Sequence, residues 1–182
     1  SMIITPINDE LIPELEMFCK KCYHLGYTNN ASVEAMRYDW CKENGEYYCA
    51  IKDNDIVAVA GCHTLPEIDA NAWRILFRGC ELPWASPYKG LNKGDWNSIT
   101  QRDFIPKFID YIPSEDLYIS TNISNEHSGK ALRNHKIMNI LAKQKDAYID
   151  NMGDMVLNQT QQTIWKLNID QYLMRRNKLH VV

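Results

Sequence analysis

The spacing of apolar positions changes along the chain, and each change predicts a new element. A β-branched run that ends at Pro6 predicts a first strand, and apolar residues three or four positions apart then predict two helices. The pattern then changes period, and three apolar runs separated by a turn and a polar connection predict three successive antiparallel strands, which form a meander. These elements are a strand at Met2–Thr5, helices from Asn8 or Asp9 to Gly26 and from Ala31 or Ser32 to Lys42, and strands at Glu46–Lys52, Ile56–Leu65 and Ala72–Leu82.

The second half of the chain opens with a long irregular segment, Pro83–Gly94, and then returns to regular spacing. A loop of this length inside a compact domain is usually functional. Pro106 interrupts the helix predicted after the loop. The predicted elements are a helix from Asn97 or Ser98 to Tyr111, a strand at Asp116–Thr121, a helix at His127–Lys145, a short strand at Ala147–Asp150, strands at Met155–Leu157 and Gln162–Asn168, and a tail over residues 174–182.

The order of these elements, β-α-α-β-β-β-α-β-α-β-β, predicts the fold class. Antiparallel strands come first and strands alternating with helices follow, which indicates an α/β (α+β) domain with a mixed sheet and helices on its faces. No repeat or linker divides the chain, so residues 1–182 are predicted to form a single domain. Ser1, which precedes Met2, resembles a cloning remnant.

Composition and charge narrow the class of protein. Apolar residues make up 45% of the 182 residues and charged residues 24%, which excludes a largely disordered chain. No apolar run is long enough for a membrane span, and no basic leader precedes the first strand, so a cytoplasmic location in a bacterium or a virus-infected host is expected. The net charge of −3 disfavours binding of duplex nucleic acid through the overall field.

Six cysteines raise the question of disulfides or metal binding. Without a secretory leader, free thiols in a reducing compartment are the better interpretation. Cys19 and Cys22 have the spacing of half a zinc site, but they also fit one face of a helix, and no second pair completes the ligand set. We therefore predict buried structural thiols and no metal.

The element order resembles that of the GNAT family of N-acetyltransferases over nearly the whole chain. The resemblance implies a mixed, mainly antiparallel sheet of about seven strands with helices on both faces. It also implies that the fourth and fifth strands diverge and hold acyl-coenzyme A in the gap. After the fifth strand, Asn122, Asn125 and Ser128 match a family motif of two asparagines and a small residue. Leu132 stands where the family often has a proton-donating tyrosine, and His135, one helical turn later, is the substitute that we consider.

The resemblance also assigns the cofactor contacts. Glycines and lysines ahead of a helix cap are suited to phosphate binding, although Asp95 opposes it and an ordinary connecting loop is the alternative. Arg74 and Arg78 lie on one face of the fourth strand, so either that face is open to solvent or a groove there holds an anion, which a planar guanidinium can bind. The candidate residues for acetyl-coenzyme A or another acyl-coenzyme A are Arg78, Gly79, Cys80, Lys89, Gly90, Lys93, Gly94, Asn122, Asn125 and Ser128.

Acyl transfer to an amine needs a group that takes the amine proton. His63 and Glu67 at the end of the third strand, and Glu81 at the end of the fourth, are the candidate bases, and His135 is the candidate acid. The first functional hypothesis is therefore an acyl-coenzyme A-dependent N-acyltransferase, most simply an acetyltransferase, that acts on a primary amine of a small molecule or protein.

Two other functions remain open. The aromatic loop residues Trp84, Tyr88 and Trp96 beside Lys89 and Lys93 suit a flipped base, so a viral-type enzyme that modifies nucleic acid is one alternative. The same aromatic residues also suit a lid over the core. A non-catalytic binding protein that has lost the cofactor loop is the other alternative, because a fold alone does not establish a function.

Overall fold

The computed structural model describes residues 2–78, 100–113, 115–126 and 131–180, with the backbone alone for several residues that border the gaps. Within these ranges seven strands and five α-helices follow the predicted order, with an additional helix at the end. The strands are β1 (Met2–Pro6), β2 (Gly45–Lys52), β3 (Asp55–Thr64), β4 (Trp73–Arg78), β5 (Leu117–Asn122), β6 (Ile149–Leu157) and β7 (Thr160–Leu167). The helices are α1 (Ile12–His24), α2 (Tyr38–Asn44), α3 (Ile105–Tyr111), α4 (Ala131–Ala142) and α5 (Ile169–His180).

The strands form one sheet in the order β1-β2-β3-β4-β5-β7-β6. Among the described strands, β4 and β5 are the only parallel neighbours, and every other pair is antiparallel. The predicted mixed, mainly antiparallel sheet is therefore confirmed. No described helix is long and apolar enough to cross a membrane.

Two layers of helices cover opposite faces of the sheet. From Ala58 onward, alternate residues of β3 enter different clusters, because successive side chains of a strand point to opposite faces. Ala58, Ala60 and Cys62 pack with α3, α4 and α5, whereas Val59 packs with α1 and α2. We call these the α3–α4 face and the α1–α2 face. The five cysteines in the described residues, Cys19, Cys22, Cys41, Cys49 and Cys62, are buried and unoxidised, as expected.

Three helical predictions need correction. The predicted helix up to Lys42 is two pieces, a 3₁₀ turn at Val33–Met36 and then α2, because Arg37 between them takes a left-handed backbone with φ 55°. Pro106 does not kink a helix but lies in the first turn of α3, after a π-helical turn at Thr100–Phe104. The predicted tail from residue 174 is wrong, because α5 continues to His180 and buries Tyr172.

Two strands predicted near the end of the chain are in fact one. β6 runs from Ile149 to Leu157 without interruption, and its pairing with β7 shifts register between Asn151 and Asp154. A bulge of this kind breaks the alternation of apolar and polar side chains, which explains why the sequence pattern indicates two short strands.

Candidate functional site

The fourth and fifth strands separate in the middle of the sheet. Their backbones pair only at Trp73 with Leu117, Arg74 with Tyr118 and Ile75 with Ile119. β4 nevertheless stays paired with β3 as far as Arg78, and β5 stays paired with β7 as far as Asn122. The two strands therefore diverge after Ile75 and Ile119. Beyond these residues the backbone groups on their facing edges do not pair with each other. We call this opening the splay.

The described residues include only part of the predicted site. The backbone of Arg78 ends β4 at the open end of the splay, while its side chain is not described. The side chains of His63, Glu67, Asn122, Asn125 and His135 are described. The remaining candidates lie outside the described residues: Gly79, Cys80, Glu81, Lys89, Gly90, Lys93, Gly94 and Ser128. Among the side chains of the described ranges, no three histidine, cysteine or acidic groups are arranged to hold a metal ion.

Asn122 ends β5 at the open end of the splay. Its side-chain oxygen Oδ1 is buried and has no hydrogen-bond partner among the described residues. A buried amide oxygen without a partner costs about 1–3 kcal/mol, so such groups commonly belong to binding sites. Asn122 Oδ1 therefore has a hydrogen-bonding capacity that no described residue uses.

Asn125 has a local structural contact. Its Oδ1 accepts a hydrogen bond of 2.9 Å from the backbone N–H of Leu132, in the first turn of α4. The first N–H groups of a helix have no partner within the helix, so this contact satisfies one of them. The second asparagine of the sequence motif therefore fixes the path from β5 into α4.

His135 lies on α4 and faces β5. The indole N–H of Trp165 on β7 donates to Thr121 Oγ1 at 2.8 Å, and Thr121 Oγ1 lies 3.2 Å from His135 Nδ1. A hydroxyl can accept from Trp165 and still either donate to Nδ1 or accept from it, so this contact is compatible with both directions. The contacts thus hold the ring of His135 between α4 and β5, half-buried and tilted against Trp165.

His63 is fully buried on the α1–α2 face, and both of its ring nitrogens have partners. Arg74 Nε donates to Nε2 at 3.1 Å, and the carbonyl oxygen of Thr64 lies 2.8 Å from Nδ1. Because a guanidinium can only donate, Nε2 must accept, and the single proton of the neutral ring sits on Nδ1 and is donated to Thr64. The indole N–H of Trp40 also points at Nδ1, at 3.0 Å, and it has no acceptor there when Nδ1 carries the ring proton.

The same contacts determine the protonation of His63. Burial lowers the pKa of His63 from 6.5 to about 4, and the positive charges of Arg74 and Arg37 act in the same direction. The lone pair that a general base needs is occupied by Arg74. The geometry therefore gives His63 the role of a neutral acceptor for Arg74, rather than the role of a proton acceptor for substrate.

This lowered pKa predicts a dependence of stability on pH. The unfolded chain takes up the His63 proton near pH 6.5 and the folded chain only near pH 4, so the stability contributed by neutral His63 is present above pH 6.5 and is lost as the pH falls toward 4. Between pH 7 and pH 5 the expected loss is about 2 kcal/mol. Urea unfolding at both pH values measures it. His63→Gln should reduce the loss, whereas His24→Gln at an exposed position should not.

Arg74 connects the two strands of the splay on the α1–α2 face. Its side chain is 6% exposed, and Nη1 donates to Ser120 Oγ on β5 at 3.1 Å. Ser120 lies one residue beyond Ile119, the last residue of β5 whose backbone pairs with β4. The sequence indicated that Arg74 lies on a strand face, but Ser120 was missed. Its only signal is that it shares a strand face with Tyr118 and Asn122.

Glu67 lies away from the opening. It is an exposed residue in the connection between β3 and β4, and the last residue of β3, Thr64, pairs with Trp73 at the start of β4. The splay opens at the other end of β4, after Ile75. This position does not bring Glu67 to the point where β4 and β5 separate.

A contact between α4 and the segment after α1 joins the two helical layers. Arg133 Nη1 donates to the hydroxyl oxygen of Tyr27 at 3.1 Å, and the guanidinium also stacks over that ring at 5.8 Å. α4 follows β5 at the open end of the splay, so this contact lies beyond the ends of the diverging strands. The sequence gave no signal for it, because residues 27 and 133 are far apart in the chain.

No protein-family model matches the sequence, and no curated protein matches it. Solved structures nevertheless match the fold over nearly its whole length. AAC(6')-Ib, an aminoglycoside acetyltransferase in complex with coenzyme A and kanamycin, gives a TM-score of 0.61 at 10% identity, covering 97% of this chain and 99% of that one.

Two further structures show the same similarity. A GNAT-family acetyltransferase from Bacillus cereus ATCC 10987 gives 0.56 at 13% identity, covering 92% and 99%. RimL, a ribosomal L7/L12 α-N-protein acetyltransferase in complex with coenzyme A, gives 0.54 at 11% identity, covering 92% and 95%. With its seven-stranded sheet and its splay between β4 and β5, the chain therefore has the fold of the GNAT acetyltransferases.

Proposed function

We propose that this protein is an acyl-coenzyme A-dependent N-acyltransferase, most simply an acetyltransferase, that acts on a primary amine of a small molecule or protein. The observation that carries the proposal is the splay, where β4 and β5 stop pairing after three residue pairs although each remains paired on its outer side. The solved structures of this fold that contain coenzyme A support the choice of cofactor.

The residues around the splay fit an acyl-coenzyme A. The edge of β4 beyond Ile75 is not paired with β5, so its backbone groups are free to bind the amide groups of the cofactor's arm. The buried Oδ1 of Asn122 needs a donor, and an amide N–H of that arm supplies one. Arg78, Gly79 and Cys80, with the lysines and glycines of the following segment, remain the proposed contacts for its pyrophosphate.

Acyl-coenzyme A supplies the acyl group as an activated thioester. A backbone N–H on the unpaired edge of β4 is suited to stabilise the negative charge that develops on the thioester oxygen. His135, held by Thr121, is suited to act as the acid in its imidazolium form, which donates the Nε2 proton to the departing sulfur, is left as neutral imidazole and is reprotonated from solvent. In the reaction the C–N bond to the amine forms, the C–S bond breaks, and the amine proton passes to solvent.

The acceptor amine enters on the α1–α2 face in this proposal. His135 contacts Thr121, whose side chain lies on the opposite face of β5 from Ser120. In this proposal the proton for the leaving sulfur therefore comes from the α3–α4 face, and the acceptor amine approaches from the α1–α2 face. Because His63 is committed to Arg74, no base is assigned among the described side chains on that face, and the amine reacts in its neutral form.

Acetyl-coenzyme A is expected to raise the melting temperature by several degrees at a hundredfold excess over its dissociation constant, because binding to the folded state alone adds about 3 kcal/mol. Differential scanning fluorimetry measures the shift, with adenosine 3′,5′-bisphosphate as a ligand that lacks the thioester arm. Asn122→Ala should weaken acetyl-coenzyme A binding, and Asn29→Ala in an exposed loop should not.

Turnover is measured as release of free thiol with a panel of primary amines. Acylation of any member supports the enzymatic half of the proposal. Absence of a thermal shift at millimolar acetyl-coenzyme A would overturn the proposal as a whole. A shift without turnover across small amines and amino-terminal peptides would overturn catalysis and favour a binding protein.

A further inference from the structure

Strand pairing holds the splay at its narrow end but not at its open end. The last of the three β4–β5 pairs joins Ile75 to Ile119. Within the described ranges, β4 continues from there to Arg78 and β5 to Asn122, each paired on its outer side alone. Backbone hydrogen bonds between β4 and β5 therefore do not set the width of the open end, and side-chain contacts that cross the opening bear on it.

The contact between Tyr27 and Arg133 spans this open end. Tyr27 packs on the buried cluster of the α1–α2 face, and Leu76, which follows the last paired residue of β4, belongs to the same cluster. Arg133 lies in the first turn of α4, which follows β5 and packs on the α3–α4 face. The two side chains thus belong to opposite layers, one associated with β4 and the other with β5. Their contact joins the two sides of the splay, and we call it the Tyr27–Arg133 bridge.

The bridge combines two interactions. Arg133 Nη1 donates to the hydroxyl oxygen of Tyr27 at 3.1 Å, and the guanidinium carbon lies 5.8 Å from the centre of the Tyr27 ring. A hydrogen bond from a charged donor is stronger than one between neutral groups, and a guanidinium over an aromatic face adds a cation–π attraction. Both side chains are partly buried, so water screens their interaction less than at an open surface. The bridge therefore constrains both the distance and the orientation of the two side chains.

The same end of α4 carries the proposed acid. His135 follows Arg133 by two residues and contacts Thr121 Oγ1 on β5, and Asn125 Oδ1 accepts from the N–H of Leu132. These contacts attach α4 to β5, whereas the bridge attaches it to the β4 side. In the proposed reaction the thioester lies along the edge of β4 and the acid is attached to α4 and β5. The distance between the acid and the sulfur therefore depends on the width of the splay.

We propose that Tyr27 and Arg133 are positioning residues, which set the width of the splay so that His135 reaches the thioester sulfur on the edge of β4. The inference rests on the proposed function, because it needs the acid and the thioester of that reaction. Displacement of a reacting group by 1 Å can cost about a hundredfold in rate. A bridge that controls this width therefore controls turnover, although neither of its side chains has to contact a ligand.

Removal of the Tyr27 hydroxyl tests the bridge with a small change. Tyr27→Phe keeps the ring that packs on the α1–α2 face and loses the oxygen that accepts from Arg133. We expect kcat to fall about tenfold, KM for acetyl-coenzyme A to change less than about twofold, and the melting temperature to fall by only a few degrees. Arg133→Lys keeps a charged donor and should retain more activity than Arg133→Met. Tyr23→Phe on α1 and Lys136→Gln on α4, both exposed, are the matched controls and should leave kcat unchanged.

Double variants separate positioning of the acid from a structural role. Because the hydroxyl and the guanidinium act through one contact, Tyr27→Phe should cost less than about twofold in kcat when it is added to Arg133→Met. Because the bridge acts through His135, Tyr27→Phe should also have almost no further effect on kcat in His135→Gln. Losses that multiply in either double variant would overturn the inference.

Hydrogen exchange and turnover together separate this inference from the proposed function. Without any cofactor, the amides in the first two turns of α4 should exchange faster in Tyr27→Phe than in the wild type, while those of α3 should not change. Unchanged exchange in α4 would overturn the bridge even in an active enzyme. Wild-type kcat in both Tyr27→Phe and Arg133→Met would overturn the inference and leave the proposed function standing. A wild-type protein that binds no acetyl-coenzyme A would overturn both.

Discussion

Replacement of Gly45 by alanine is expected to lower the free energy of unfolding by about 3 kcal/mol, the upper range for overpacking. Gly45 begins β2 and pairs with His63 on β3. A Cβ atom built at Gly45 overlaps the carbonyl oxygen of Cys62 and lies 2.7 Å from the Cα of His63. These are backbone atoms in the middle of the sheet, so no side-chain rotation relieves the overlap. The strands must move apart.

Urea unfolding compares this variant with two other glycine variants. At Gly61 an added Cβ meets side chains, 2.6 Å from the ring of Tyr47 and 2.8 Å from Cys41 Sγ, and these can adjust, so Gly61→Ala should cost less than Gly45→Ala. Gly153 has open space around it and a φ of 93°. Its alanine variant should lose only about 1 kcal/mol of stability, because the added Cβ strains the backbone at this φ. A Gly45→Ala protein as stable as the wild type would show that β2 and β3 do not approach this closely.

The close approach at Gly45 also bears on the splay. The carbonyl that the added Cβ would displace precedes His63, and His63 holds Arg74, which in turn reaches Ser120 across the two diverging strands. A shift of β3 at this position should therefore disturb the hydrogen bonds that join β3, β4 and β5 beside the splay.

The strands could be predicted because their signal is local. Runs of apolar, β-branched and aromatic residues are directly visible in β2, β3 and β4, with a two-residue turn between β2 and β3 and a polar connection between β3 and β4. The bulge in β6 hides the same signal, since two residues there oppose one on β7. The α2 boundary could not be predicted, because a left-handed arginine is set by the packing of α2 on the sheet rather than by its own preference.

The basic residues near the end of the chain led to a wrong prediction of a tail. The sequence from Met174 onward carries several basic residues, and that pattern is typical of a solvated tail. Tyr172 precedes it, however, and its ring packs against Tyr148 at a centroid distance of 5.4 Å. Arg175 lies over the Tyr148 ring on the next turn. Arg175 and Arg176 are only partly exposed, so the basic segment packs against the protein as a helix instead of extending into solvent.

Candidate residues that belong to a sequence motif could be predicted, whereas contacts that depend on the register between two strands could not. The motif after β5 led to Asn122 and Asn125, and the helix that follows led to His135; sequence spacing fixes where these residues lie on β5, in the turn after it and on α4, while their roles in the site stay predictions. The pairing of His63 with Arg74 depends on how β3 and β4 align. One step of register would place the two side chains on opposite faces, so the sequence left His63 available as a base.

Replacement of His135 by glutamine is expected to reduce kcat about a hundredfold, the lower range for loss of a general acid, with little change in KM for acetyl-coenzyme A. The reason is that His135 is proposed to give a proton to the departing sulfur, which matters only as the C–S bond breaks. Glutamine retains a similar size and an amide that can still meet Thr121, so the melting temperature should change little. Steady-state thiol release and a thermal melt measure both quantities.

Two matched variants separate this role from a structural one. His24→Gln replaces an exposed histidine at the end of α1 and should leave kcat unchanged. Thr121→Val removes the hydroxyl that joins Trp165 to His135, so it removes a contact that positions the imidazole and should lower kcat by a smaller factor than His135→Gln. Full turnover in His135→Gln would remove the acid from the mechanism, because the sulfur would then leave without a proton from this residue. A parallel fall in melting temperature and kcat would instead reduce His135 to a packing residue between α4 and β5.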